Sequence, residues 1–390
     1  MSRIFYFLAF LAIAIGCKEV YEPPMQAQNT RLLVVEGFIN GGQGPTNFFL
    51  SRTGDLQDQS ARPEYGAQVK VEGEDGSSFL FVDSLNGKYY YPQLFLNSNV
   101  KYRLHITTSN GSEYASDYTP VRHTPPIDSI TWQIENNGVR VYVNTHDPQN
   151  VTKYYQWKYD ETWEIHSAYY SSLKYLRDPY TNRIIALLWR DPAFHKVDTT
   201  IYKCWSSLSS TSIILGSSEK LSSDVIYLPV QFIEPGSEKL SVLYSINLKQ
   251  YAMSQEAYLF MEKMKKNTEQ VGTLFDPQPS QITGNIKCLS HPNESVVGFV
   301  EVTDEQTRRI FIYNSQVPGW NYSMPCLQYL IKNTVDDMNK NGADLFPTVA
   351  NTIDPYPPWN PTIVDFFAAN MESCMDCTTR GVNRRPSFWP

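Results

Sequence analysis

Positive charge is scarce in this 390-residue chain. Lys and Arg number 33 against 40 Asp and Glu, giving a formal charge of −7 and a pI near 5.5. A nucleic-acid binder normally shows the opposite balance, so that class is excluded. Charge of either sign is low, at 19%, while hydrophobic residues reach 42% and aromatic residues 14%. Such a composition excludes a disordered chain and fits a folded body of about two domains. Long apolar runs are also lacking. The one such run, residues 4–15, is too short to span a bilayer comfortably. Catalytic signatures are missing as well. There is no G-x-G-x-x-G, no phosphate loop, no H-E-x-x-H and no G-x-S-x-G elbow. None of the six histidines is read as a metal ligand. Acid pairs such as Asp160 and Glu161 are adjacent, and on a strand they point to opposite faces. They therefore cannot flank one glycosidic bond. A protein without enzymatic activity and without a cofactor is expected.

What is present begins with an export signal. Arg3 supplies the positive start, residues 4–15 the apolar stretch, and Gly16-Cys17 follows with Ala14 upstream. A general secretory signal ends in small residues on an A-x-A plan. Here a small residue precedes a cysteine, and polar Lys18-Glu19 follows at once. The pattern is that of a bacterial lipobox, with residues 1–16 removed and Cys17 as the lipidated first residue. Loss of Arg3 takes the formal charge from −7 to −8. Each buried acyl methylene contributes about 0.8 kcal/mol, so two or more chains hold stably. Residues 17–29, with Pro23-Pro24, read as the lipidated tether.

Beyond the tether the chain reads as mainly β. Residues 67–73 and 100–106 alternate apolar and polar, as a strand with one buried face does. Asn86-Gly87 and Asn110-Gly111 are hairpin signals. Six or seven short strands predict an immunoglobulin-like β-sandwich over residues 30–123. Pro120, Pro125 and Pro126 mark a boundary. A larger β-rich domain with one or two helices is expected over residues 127–390, ending in a Pro-rich segment. Ser254 is a good N-cap, and Ala257, Phe260, Met261 and Met264 fall on one helical face closing near Asn267. A weaker helix is expected from about Cys326 to Asn339.

Several segments then carry a family resemblance. These are the block of residues 272–288 containing Phe275-Asp-Pro-Gln-Pro-Ser280, Glu161-Thr-Trp-Glu164, Cys204-Trp205, Tyr244-Ser-Ile246, Gln250-Tyr251-Ala252, Cys374-Met-Asp-Cys377 and Pro386-Ser-Phe-Trp389. Together with the lipobox, they resemble the Bacteroidota lipoproteins called domain of unknown function 4249, over essentially the whole mature chain. The resemblance implies a lipid-anchored outer-membrane protein that faces the cell exterior. It also implies a TonB-dependent receptor, a β-barrel, as partner. The resulting expectation is an accessory subunit for binding or gating. The alternatives are a stand-alone adhesin or glycan binder and, at lower weight, a glycan- or peptide-degrading enzyme.

Three sets of residues are candidates for more. Trp157, Trp163, Tyr169, Tyr170, Tyr175 and Trp189 crowd one region. Alternating rows such as Tyr155, Trp157 and Tyr159 favour a core. The broken pattern of residues 167–200 favours a partner or ligand surface. Asp337, Asn339 and Asn341 before Gly342 resemble the start of a calcium loop, but position twelve is Thr348 rather than Glu. The competing reading is a helix that stops at Asn341-Gly342. With Cys17 lipidated, five thiols remain, and an exported compartment favours disulfides. The simplest pairing joins Cys204 to Cys288, and Cys326 to Cys374 or Cys377. Alternatively Cys374 and Cys377 close a short loop and leave Cys326 free.

Overall fold

The computed structural model describes residues 31–54, 62–269, 284–351 and 363–390. The leader, Cys17, the tether and most of the block of residues 272–288 lie outside the described residues.

The chain is mainly β, in two sandwiches and a smaller third unit. The first sandwich has a six-stranded sheet containing Leu33–Gly37, Thr46–Arg52 and Lys88–Tyr91. It packs on an eight-stranded sheet containing Gln68–Gly73, Lys101–Thr107 and Glu113–Ser116. The alternation seen in the sequence fixes the inner face: Val69, Val71, Leu104 and Ile106 are fully buried against Leu33, Phe48 and Leu50. The Gly87 turn joins Val82–Asp83 to Lys88–Tyr91 at φ +75°, with a built Cβ only 2.3 Å from the Leu50 carbonyl oxygen. Only glycine fits there.

The expected boundary near residues 123–127 needs correction. Residues 286–303 return to the first sandwich. Ile286–Cys288 pairs antiparallel with Glu113–Ser116, Val296–Val297 parallel with Leu33–Gly37, and Val302–Thr303 with both Ile39–Asn40 and Thr119–Arg122. Ile286, Val296, Val300 and Val302 are part of its core. The two domains are interleaved in sequence, because the edges of the first sandwich are completed from far along the chain.

The second sandwich packs a three-stranded sheet (Ile127–Glu135, Gly138–His146, Val225–Ile233) on a five-stranded one. The central strands of the latter are Tyr154–His166 and Leu243–Met253. Asn136 and Asn137, both at positive φ, make the tight turn of the first hairpin, as a two-residue loop of that hand requires. Inside, Trp157 is fully buried and donates its indole N–H to Gln250 Oε1 at 2.8 Å. Gln250 in turn donates to the Pro125 carbonyl at 2.7 Å and to Thr145 Oγ1 at 2.9 Å. Buried polar groups are tolerated when satisfied in this way.

The third unit joins the hairpin Leu173–Arg177/Ile184–Trp189 to the sheet of Gln328–Lys332, Asp365–Ala369 and Phe346–Ala350. Its core is Leu173, Ile184, Ile331, Met338 and Phe366. The helix expected over residues 326–339 is corrected here. Gln328–Lys332 is a strand because Asp365–Ala369 pairs with it along its whole length. The helix is only Val335–Asn341, capped by Thr334. The other helix runs Gln255–Glu269, with Ser254 Oγ accepting from the Ala257 amide at 3.0 Å and Ala257 and Phe260 buried. Among the described residues no helix is long and apolar enough to cross a membrane.

Two disulfides tie the C-terminal segment down: Cys204–Cys377 and Cys326–Cys374. The proposed Cys204–Cys288 pair does not form. Cys288 lies on a strand of the first sandwich, whereas Cys204 lies in the second with Cys377 at a Cα–Cα distance of 5.7 Å. Among the described cysteines the free thiol is Cys288, not Cys326, Cys374 or Cys377.

The same C-terminal segment is held by charge. Glu164, 5% exposed, accepts from His166 Nε2 and Lys203 Nζ, both at 2.7 Å, and from the Trp389 indole at 2.9 Å. Burial alone would raise its pKa, but these three donors override it and lower it to about 2. The depressed value means stability that is fully present above the ordinary carboxylate range and lost as pH falls from about 4.5 towards 2. The shift corresponds to about 3 kcal/mol. Acid unfolding followed by tryptophan fluorescence should therefore steepen over that window, and Glu164→Gln should flatten it. An unchanged acid limb in the variant would contradict this.

Candidate functional site

A cavity of about 730 Å³ opens where the two sandwiches and the long helix meet. The strand Leu33–Gly37 and Phe38 form one wall. The outer face of the five-stranded sheet supplies Gln156, Lys158, Tyr251 and Met253. The helix presents Phe260, Met261 and Met264, and Phe299 and Glu301 come from the returning segment. Strand alternation explains the sheet's contribution: Trp157 and Gln250 point into the sandwich core, so their neighbours Lys158 and Tyr251 point away from it. Phe38 meets Tyr251 edge-on at 4.6 Å, and Phe260 meets Phe299 at 5.6 Å. The volume lies within the range of small-molecule sites, and flexible Met side chains adapt to irregular apolar ligands.

The polar groups of this cavity are unequal. Glu301, 8% exposed, accepts from the Ser254 amide at 3.0 Å and lies 3.4 Å from Arg122 Nε. Burial raises its pKa against those partners. It is spent on the helix start. Tyr251 donates to Glu305 at 2.6 Å. Lys158 is different. Solvent reaches it, yet among the described residues its ammonium has no hydrogen bond or salt bridge. Partial loss of water on the cavity side lowers its pKa, Glu36 and Glu305 oppose this, and Lys249 adds to the lowering. An unpaired cation beside Phe and Met side chains can hold an anionic group on an apolar body.

The aromatic residues singled out in the sequence do not form one surface. Trp157 and Trp163 are buried in the second sandwich. Tyr175 packs edge-on against Phe366 in the third unit. Tyr169 donates to the Cys326 carbonyl at 2.9 Å. Tyr170 is the outward member, 46% exposed and stacked on Tyr202 at 3.8 Å, while Trp189 lies against His195 at 4.6 Å. The strand Tyr154–His166 carries both Trp157 and Trp163; its first half is buried on one face and residues 161–165 on both. The calcium-loop residues are likewise engaged within the fold. Asp337 accepts from the Lys332 amide and from Asn341 Nδ2, and Asn339 bonds the Ile184 amide and carbonyl. They belong to a helix stopped at Gly342, which leaves no loop to wrap an ion.

Sequence reading missed Lys158. Its signal is a lysine at an outward position of a strand whose inward neighbours are Tyr155, Trp157 and Tyr159. It also missed an ordered group on the open face of the three-stranded sheet. There Tyr142 and Tyr227 stack with centroids 4.8 Å apart and planes at 3°. Glu135 accepts from Tyr142 and from Arg140 Nε, the latter at 2.7 Å, and Arg140 lies 4.5 Å over the Phe232 ring. Gln133 donates to the Tyr227 hydroxyl at 3.2 Å.

The profile of the family described as Domain of unknown function (DUF4249) matches residues 18–309. The C-terminal segments that contributed to the resemblance, from Cys374 to Trp389, lie beyond that range. No curated protein matches the chain. Among solved structures, one similar chain is a candidate carbohydrate binding protein from Bacteroides uniformis ATCC 8492. It is 10% identical over 58% of this chain and 91% of its own, with a TM-score of 0.16. Another is a Salmonella alpha-2-macroglobulin mutant, 10% identical over 77% of this chain and 16% of its own, at 0.17. At these scores neither likeness bears on function.

Proposed function

We propose that this chain, which belongs to the family Domain of unknown function (DUF4249), is an exported binding protein. Its cavity between the sandwiches takes an apolar ligand bearing an anionic group. The observation that carries this reading is the Lys158 ammonium, which has no ion-pair partner among the described residues, in a cavity whose apolar lining includes Phe38, Phe260, Met261, Met264 and Phe299. In the cell the chain is anchored through lipid on Cys17 to the outer membrane, facing outward. It serves there as accessory subunit to a TonB-dependent β-barrel receptor. The lipobox pattern of residues 1–17 and two disulfides, which belong to an oxidising compartment, support that setting. It has no catalytic role.

The partnership is tested by purifying the tagged chain from native membranes in mild detergent. A β-barrel receptor should co-purify in near-equal amount. Membranes that yield the chain and no barrel would remove the partnership.

The alternative, a stand-alone glycan binder, is favoured by one observation, the stacked Tyr142 and Tyr227 between Glu135, Arg140 and Gln133. Aromatic faces with planar polar neighbours are how sugars are commonly held. On this reading the soluble chain retards on immobilised polysaccharide, and Tyr227→Ala, at a half-exposed position, abolishes the retardation. Equal retardation of the two proteins would end it.

A further inference from the structure

The free thiol Cys288 is not isolated: His291 and Glu294 lie beside it. Cys288, His291 and Glu294 are spaced C-x-x-H-x-x-E, and a tight turn, with the Glu294 amide donating to the His291 carbonyl at 2.8 Å, folds the three together. Their ligating atoms all lie within 4.8 Å of one another. Glu294 Oε2 is 3.6 Å from Cys288 Sγ and 4.0 Å from His291 Nδ1. A tetrahedral zinc, with bonds of about 2.0–2.3 Å, sets its ligand atoms roughly 3.3–3.6 Å apart. The side chains thus lie within about 1.5 Å or less of a coordinating geometry with no ion between them.

The surroundings orient them. The other Glu294 oxygen, Oε1, accepts from the Tyr114 hydroxyl at 2.7 Å and lies 3.5 Å from Arg52, which leaves Oε2 facing the sulfur and the imidazole. Arg52 is itself paired with Glu64 at 2.7 Å, so its charge is largely answered elsewhere. The His291 amide donates to Cys288 Sγ at 3.3 Å, a contact that favours thiolate. Such outer contacts are what fix metal ligands in place. Cys288 is 3% exposed, whereas the His291 side chain is two-thirds exposed, so one side of the cluster opens to water.

We propose that Cys288, His291 and Glu294 form a divalent-metal site suited to Zn²⁺, with three protein ligands and a fourth position left to water. The mixed S, N and O ligand set selects a borderline-soft ion over calcium or magnesium. A thiolate and a carboxylate together neutralise the ion's charge. On binding, the Cys288 S–H bond breaks, an S–Zn bond forms, and the proton leaves to solvent with the displaced waters. Because the thiol and the imidazole must give up protons to bind the ion, affinity weakens as pH falls. The ion would fasten the strand Ile286–Cys288 beside Tyr114, where residues 286–303 return to the first sandwich. This site lies apart from the cavity and does not depend on it.

The test is titration of the full mature chain, disulfides intact, with Co²⁺ as a spectroscopic stand-in and then Zn²⁺ as competitor. One equivalent of Co²⁺ should produce a thiolate-to-metal charge-transfer band, which one equivalent of Zn²⁺ removes. His291→Ala, at an exposed position compatible with folding, should weaken binding at least tenfold, and Cys288→Ser should abolish the band. Zn²⁺ should also slow alkylation of Cys288 by iodoacetamide in the wild type and not in His291→Ala. A wild-type protein without the band, or one whose band and protection survive His291→Ala, would overturn the proposal.

Discussion

Trp157→Ala should destabilise the second sandwich by about 5 kcal/mol. Removing a fully buried Trp costs about 3–5 kcal/mol in transfer and cavity terms. The deletion also strands Gln250 Oε1, whose partner at 2.8 Å is the lost indole N–H, at a further 1–3 kcal/mol. Domains are commonly stable by only about 5–15 kcal/mol, so the variant should fold poorly or melt well below the wild type. Trp157→Phe keeps most of the volume but strands the same Gln250 oxygen, so it should cost less than the alanine variant and at least roughly the 1–3 kcal/mol of the lost partner. The measurement is denaturant unfolding of the mature chain by tryptophan fluorescence and near-ultraviolet circular dichroism. Were Trp157 a ring on a partner surface, the change would be within about 0.5 kcal/mol. The same experiment on Tyr170→Ala, at a half-exposed position, should give that small value.

Replacing both Cys204 and Cys377 by serine should lower stability by several kcal/mol. The two are separated by 173 residues. Closing a loop of that length removes about 5 kcal/mol of unfolded-chain entropy, and measured losses for native bridges run from about 2 to 5 kcal/mol. Cys326–Cys374, with a separation of 48, should be worth about 4 kcal/mol by the same relation. The effects should not add fully, because both bridges hold the same C-terminal segment. Thermal melts of each double variant read the magnitudes. Non-reducing peptide mapping reads the connectivity: 204 with 377, 326 with 374, and Cys288 alkylated. A peptide joining Cys204 to Cys288 would contradict the fold itself, since those residues lie in different sandwiches.

The sequence carried the fold where the signal is local. Val69 and Val71, or Leu104 and Ile106, announce buried faces by alternation alone, and Ser254 announces its helix by a side chain that caps it. It failed where partners come from afar. Ile286–Cys288 and Val296–Val297 are too short to declare a sheet, and their partners lie about 170 and 260 residues earlier. Nothing in their own residues assigns them to the first sandwich. Gln328–Lys332 lacks alternation and reads as helix until Asp365–Ala369 supplies its ladder. The cavity was illegible for the same reason. Its walls come from five separated segments, and Lys158 acquires meaning only once Phe38, Met264 and Phe299 line the same cavity. The Cys288, His291 and Glu294 cluster is the opposite case: its three-residue spacing is local, yet reading the histidines for H-E-x-x-H alone left it out.

The cavity is tested most directly with an anionic apolar probe, 1-anilinonaphthalene-8-sulfonate, titrated into the mature chain and followed by fluorescence. One saturable site is expected. Lys158→Met, which keeps the side-chain volume and removes the cation, should weaken it about tenfold or more, and Met264→Trp, which fills the cavity, should abolish it. A wild-type chain that shows no saturable binding, or binding that both variants leave unchanged, would contradict the reading of this cavity as the ligand site.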